Sequence, residues 1–301
     1  MIYNFNLGIG WASSGVEYAQ SYRAVMFRNI GAGAKFVFTD MISSENIEHF
    51  TKNIGFLDSE IIWLYTFFTD YKIAMVSYTL DDLKKTLSSD QYTYSRTGKI
   101  GKLVFLDSNL YYAIYFVTEE SELVHRVEIV SKGCLIRKDY FTYGRVFSEY
   151  YAPQDKKAHM YLRRFFNENG TVAYEEINDD GEVMYRLPDK FLCSKKEFVG
   201  YMVSKLHLTK DDIVLIDRTT GIGQTILQNV GEARVGIVIH ADHFSENNTN
   251  NDYILWNNYY EYPFNMHKHM DFYVVSTDEQ NQLLKEQFQK YAGATPAVYT
   301  I

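Results

Sequence analysis

The sequence predicts an α/β fold: a parallel sheet covered by helices, interrupted by a long antiparallel β segment. Three observations carry that class. Strand, glycine loop, helix and strand follow one another within about forty residues, which is a βαβ unit. Between residues 92 and 192 the pattern turns to short β runs separated by turn residues. After residue 195 the α/β rhythm returns, so the β-rich part reads as an insertion in the first domain.

Taken in order, residues 1–7 (MIYNFNL) are a β-prone run entering a loop with Gly8, Gly10 and Gly15. Residues 16–28 leave it as a helix, with Val16, Ala19, Tyr22 and Met26 expected on one helical face. Glycine can take positive φ and let backbone approach a ligand. The loop N–H groups and the helix start at Val16 would then favour negative charge such as a diphosphate. The spacing G-x-G-x-x-x-x-G is neither the dinucleotide fingerprint nor a P-loop. Residues 34–38 form the second strand, followed by expected helices at 45–53, 59–70 and 80–87.

The β-rich runs are 102–106, 110–117, 123–130, 138–143, 158–166, 171–177 and 183–187. Turns at 107–109, 167–170 and 179–181 separate some of them, as an antiparallel meander requires. The expected boundaries are 1–90 and 193–301 for a Rossmann-like domain, with 91–192 inserted. A helix at 195–206, a strand at 212–217, a glycine turn at 220–223 and a short helix through 229 resume the α/β pattern. A strand at 235–239, the polar segment 240–252, a partly helical aromatic stretch through 262 and a strand at 271–275 come next. Thr277 and Gln280 suggest a capping box opening a last helix that buries Leu283, Leu284, Phe288 and Tyr291 and stops near Gly293. Residues 296–301 read as one more strand at an abrupt chain end.

The 301 residues are 46% hydrophobic, enough for substantial cores in two domains. The 26 Tyr and 20 Phe suit broad sheets with cross-strand aromatic pairs, and also sugar or peptide surfaces. A net charge of −8 argues against nucleic acid as a partner. The N-terminus lacks a basic-then-apolar leader, and the apolar run 61–68 is too short to span a bilayer, so a cytoplasmic protein is expected. Cys134 and Cys193 are far apart, which favours two thiols over a disulfide or metal site.

In an open parallel sheet, ligands bind outside the carboxyl ends of the strands. Residues 8–17, 217–223 and 240–246 fall there. His240 directly follows the apolar run VGIVI and so is expected at the lip of the sheet, able to meet a phosphate or sugar oxygen, to move a proton, or simply to cap the strand end. His243 lies further into the loop. The string His240, Asp242, His243, Glu246 holds metal-ligand types without a metalloprotease order or thiolates, so no metal is expected. His267 and His269 read as solvated, and no G-x-S-x-G elbow is present.

GIGWASSGVEYAQSYRA, KFVFTDM, GCLIRKDYFTYGRVFSEYYAP, DRTTGIGQ and HADHFSENNTNNDYILWNNYYEY, in this order, resemble the GtfA family of accessory-Sec glycosyltransferases. These are catalytic subunits of the O-linked N-acetylglucosaminyltransferases of serine-rich repeat adhesins. The resemblance implies the first Rossmann-like domain of a GT-B enzyme of glycosyltransferase family 4, with an inserted extended β-sheet domain. It implies UDP-N-acetylglucosamine as co-substrate, no cofactor, a GtfB co-subunit, a serine-rich repeat acceptor and, through the complex, peripheral association with the inner face of the membrane. By the same likeness, Ser14, Gly15, Val16 and Glu17 would approach the donor's diphosphate and sugar, and His240 would be catalytic. Such enzymes continue into a donor-binding domain with an E-x7-E motif. Glu120/Glu128 and Glu168/Glu176 have that spacing but lie in the insertion, so a fragment without the donor domain, inactive alone, is expected. A non-catalytic module for acceptor and partner and a wall teichoic acid N-acetylglucosaminyltransferase are the alternatives. Arg137, Lys138, Tyr140, Phe141, Tyr143 and Tyr150 are the expected partner-surface residues of the meander.

Overall fold

A computed structural model describes residues 1–106 and 108–301, so the expected turn at Asp107 lies outside the described residues. The chain opens with β1 (Ile2–Asn6), α1 (Gly15–Asn29), β2 (Ala34–Phe38), α2 (Ile47–Asn53), β3 (Ile61–Trp63), α3 (Leu64–Phe67) and α4 (Leu80–Lys85). Ten strands follow: β4 (Tyr92–Thr97), β5 (Ile100–Phe105), β6 (Leu110–Phe116), β7 (Val124–Ser131), β8 (Cys134–Phe141), β9 (Arg145–Gln154), β10 (Lys157–Phe166), β11 (Val172–Asp179), β12 (Glu182–Arg186) and β13 (Phe191–Leu192). The last part holds α5 (Lys195–Lys205), β14 (Ile213–Ile216), α6 (Gly223–Asn229), β15 (Arg234–Val238), α7 (Glu261–Asn265), β16 (Phe272–Val275), α8 (Asp278–Ala292) and β17 (Val298–Thr300).

The chain divides into two compact units: Met1–Asp40, Ile54–Leu64 and Lys196–Ile301 in one, Met41–Asn53 and Tyr65–Lys195 in the other. In the first, a seven-stranded sheet runs in the order β17-β16-β15-β14-β1-β2-β3. Every neighbouring pair is parallel. Strand order therefore reverses between β1 and β14, which opens a crevice at their carboxyl ends. Leu215, Val238 and Val274 pack with Ile2, Phe27, Ile213 and Phe272 on the sheet. Phe264, Tyr273 and Phe288 form a second, aromatic core with Trp256.

The expected helix at 59–70 is instead a short strand followed by one helical turn. Ile61, Ile62 and Trp63 pair in register with Phe36, Val37 and Phe38, because a short apolar run fits a buried edge strand as well as a helix. In α8, Leu284 and Phe288 are buried as expected and Leu283 is exposed. Thr277 caps that helix through the Gln280 N–H. The Gln280 side chain donates to the Ala241 carbonyl, so the helix starts with a cap rather than a reciprocal box.

The second unit is a ten-stranded sheet in strict chain order from β4 to β13, antiparallel throughout. The runs read from sequence lack β4, β9 and β13. Two in-register rungs cross one face. Tyr140, Phe147, Phe165 and Tyr174 form a stack with ring centroids 4.2 to 5.5 Å apart. Beside it, Glu128, Lys138, Glu149, Arg163 and Glu176 alternate in sign across five strands. Such pairs are what fix register in a sheet. The other face carries Leu103, Phe105, Ile114, Phe116, Val127 and Phe141, covered by Leu80 and Leu83 of α4. That packing, with the Leu80 N–H bonded to the Glu122 carbonyl, groups residues 65–90 with the sheet rather than with the α/β unit.

Tyr140 and Phe141 are core residues on opposite faces, against the expectation of a partner surface. Arg137 pairs with Asp139, and Lys138 with Glu128. Tyr143 remains exposed, as does Tyr94 on the edge strand β4.

Candidate functional site

The site begins with α1, whose buried side is polar. Glu17, Gln20, Ser21, Arg23 and Ala24 face inward, while Tyr18, Tyr22, Val25 and Met26 are exposed, Tyr22 by 75%. The face that carries Tyr22 and Met26 is thus turned outward. The reason lies in β1, which presents Asn4 and Asn6 to the helix, both fully buried. Buried amides need partners, and α1 supplies them. Asn6 Nδ2 donates to Glu17 Oε1 at 2.9 Å and to Gln20 Oε1 at 3.3 Å, and Arg23 Nε donates to Asn4 Oδ1 at 3.3 Å.

The network converges on Asp217, the residue after β14. Arg23 Nη2 donates to both of its oxygens at 2.5 and 2.6 Å, and Gln20 Nε2 donates to Oδ2 at 2.7 Å. His240, two residues beyond β15, brings Nε2 to 2.8 Å from Oδ1. Burial alone would push the Asp217 carboxyl up; the Arg23 charge and the His240 hydrogen bond outweigh it and hold it below the usual carboxylate range. The His240 backbone N–H donates to Tyr260 Oη at 2.9 Å, fixing the loop that carries the ring.

Around this network lies a cleft of about 470 Å³, lined by Ser14, Gly15, Val16 and Ala19, by Asp217, Arg218 and Thr219, by His240 and Ala241, and by Tyr259, Tyr260 and Ser276. It opens at the crevice between β1 and β14. Ser14, Gly15, Val16 and His240 thus come together. Glu17 does not line the cleft. It turns inward, where Oε2 accepts from the Ser14 N–H and Oγ, each at 2.6 Å, to close a capping box. Gly8, Gly10 and Gly15 all lie outside the left-handed φ region. At Gly8 a Cβ would lie 3.2 Å from the Asp40 Cβ, close enough that Asp40 would have to yield by a few tenths of an ångström; at Gly15 a Cβ would meet nothing within 4 Å.

His243 belongs to the core. It is 2% exposed, with Nε2 2.7 Å from Gln287 Oε1 and the rings of Phe244, Trp256 and Phe264 around it. Burial pushes its pKa down. No group of three or more metal-ligating side chains gathers among the described residues. Sequence reasoning missed Arg23, Gln20, Tyr259 and Tyr260, and held Arg218 only as part of the stretch 217–223. Glu17, Gln20 and Arg23 at helical spacing, opposite two asparagines on the first strand, were the available signal.

Residues 93–189 match the family model of the GtfA extended beta-sheet domain. Over all 301 residues the chain is 50% identical to the UDP-N-acetylglucosamine--peptide N-acetylglucosaminyltransferase GtfA subunit of Streptococcus agalactiae and 49% identical to that of Streptococcus pneumoniae serotype 4. The chain spans 60% of the length of each. A crystal structure of a GtfA/B complex superposes over the whole chain with a TM-score of 0.97 at 48% identity.

Over its whole length the chain is similar to GtfA subunits, matching 60% of theirs.

The pneumococcal O-GlcNAc transferase GtfA, solved with UDP and GlcNAc, matches the whole chain with a TM-score of 0.96 at 49% identity, again over 60% of its own length. TarM, at 16% identity and a TM-score of 0.69, shares the fold. The α/β unit with its parallel sheet and the antiparallel extended sheet thus share the architecture of these GtfA structures.

Proposed function

We propose that this chain is the acceptor-side and cleft-lining part of a retaining glycosyltransferase. The enzyme moves N-acetylglucosamine from UDP-N-acetylglucosamine to Ser or Thr of a serine-rich repeat adhesin, in the cytoplasm, with GtfB as co-subunit and without metal or organic cofactor. The observation that carries this reading is the cleft at the strand-order reversal, which gathers Ser14, Gly15, Val16, Arg218 and His240 in a chain about half identical to named GtfA subunits. Arg218, whose Nη2 donates to Ser14 Oγ at 3.0 Å, sets a cation beside the α1 start. A diphosphate is met by such charge-assisted donors. His240 offers a ring nitrogen to the sugar side. Peripheral membrane association through the complex is part of the same proposal.

The test is transfer to a serine-rich repeat peptide by a full-length family member carrying the residue changes of this chain's cleft. His240→Ala is expected to lower transfer roughly 10- to 100-fold, the kinetic equivalent of one charge-assisted hydrogen bond. Unchanged transfer would remove His240 from the site. A second reading, a binding module for acceptor and partner, is favoured by the exposed edge strand β4 of the extended sheet. Turnover of UDP-N-acetylglucosamine by the 301-residue chain would exclude it.

A further inference from the structure

The buried ion pair beneath the cleft has more hydrogen-bonding precision than holding α1 to the sheet requires. Asp217 accepts from Arg23 through both oxygens, and Gln20 anchors Oδ2 again, so the carboxylate has no freedom to turn. Its Oδ1 then faces His240 Nε2 at 2.8 Å. A carboxylate only accepts hydrogen bonds, so the proton of that contact sits on Nε2. Arg23 already balances the carboxylate's charge, so the contact orients the ring without leaving an uncompensated anion beside it. In a neutral imidazole, protonation of one nitrogen makes the other an acceptor.

We propose that Asp217, locked by Arg23, is a positioning residue that fixes His240 in the Nε2–H tautomer and presents Nδ1 to the cleft as a hydrogen-bond acceptor. The ligand group meeting Nδ1 is therefore a donor, a hydroxyl or an amide N–H, and an anionic oxygen is excluded from that position. This deepens the reading of the cleft as the transfer site and rests on it for the ligand. The tautomer itself depends on no ligand.

Long-range proton–nitrogen correlation on the histidine-labelled 301-residue chain, at about pH 8, above the ordinary histidine range, reads both ring nitrogens directly. His240→Gln identifies its signals by their loss. The expected wild-type pattern is a pyrrole-like Nε2 and a pyridine-like Nδ1. In Asp217→Asn, and in the charge-free pair Arg23→Met with Asp217→Leu, the two shifts should converge as the tautomers mix. The double variant guards against misfolding, because it leaves no buried charge unpaired. A pyrrole-like Nδ1 in the wild type overturns the proposal, whatever the variants do. An unchanged pattern in both variants, each with native circular dichroism, also overturns it, by showing that Asp217 does not set the tautomer. The wild-type pattern together with convergence in either variant supports it. Loss of transfer in His240→Ala tests the site reading separately, since a correct tautomer with unaltered transfer would leave this proposal standing and remove only the assignment of the cleft.

Discussion

At the scale of single residues, two histidines three positions apart play opposite parts. His240 stands at the lip of the sheet with Nε2 on a carboxylate, while His243 is sealed among aromatic rings against Gln287. His243→Ala should therefore cost stability, about 1–3 kcal/mol, because it leaves the buried Gln287 amide unpaired. Its effect on transfer should follow only from unfolding, which thermal melts beside rate measurements would separate. Asp217 supplies a pH signature. Its carboxyl is held below the ordinary 3.8, so the stability it contributes is complete above that value and is lost as pH falls through its lower, folded pKa. Acid titration followed by circular dichroism should show this loss below about pH 4. A folded Asp217→Asn variant should lack that component.

At the scale of elements, α1 is an amphipathic helix turned the other way. Its polar side is inside because β1 buries two asparagines beneath it, and the Glu17 carboxylate both caps the helix and holds Asn6. Glu17→Ala removes the cap interaction and a buried hydrogen bond together, an expected loss of about 2–3 kcal/mol. Tyr22→Ser, on the exposed side, should stay within about 0.5 kcal/mol. Denaturant melts of the two variants decide the orientation of the helix, since the reverse order would mean an apolar inner face. The strand β3 makes the same point about short apolar runs: pairing with β2 decided its form.

At the scale of the whole molecule, the extended sheet matches a family domain and carries an edge strand, β4, with exposed Tyr94 and a mostly exposed face. Open edges are sites where sheets acquire partners. The 301-residue chain is expected to co-elute with GtfB on size exclusion. That co-elution should be lost when residues 93–189 are removed and kept in His240→Ala. Persistence after a clean deletion, with the remainder folded, would move the interface to the α/β unit.

Periodicity and turn residues were enough to determine the class of the chain, its parallel sheet, its β insertion and the place of His240. Those features follow from local patterning, where a period of two or of 3.6 and a glycine or asparagine turn speak for themselves. The motif resemblance carried the family. Tertiary structure alone decided the inward polar face of α1, the inward turn of Glu17, the burial of His243 and Tyr140, and the union of Arg23 with Asp217 and His240. Those contacts span up to 197 positions in sequence. A helix pattern shows which residues share a face, but which face turns inward depends on what the sheet beneath it must hydrogen-bond, and that is settled only when distant strands pair.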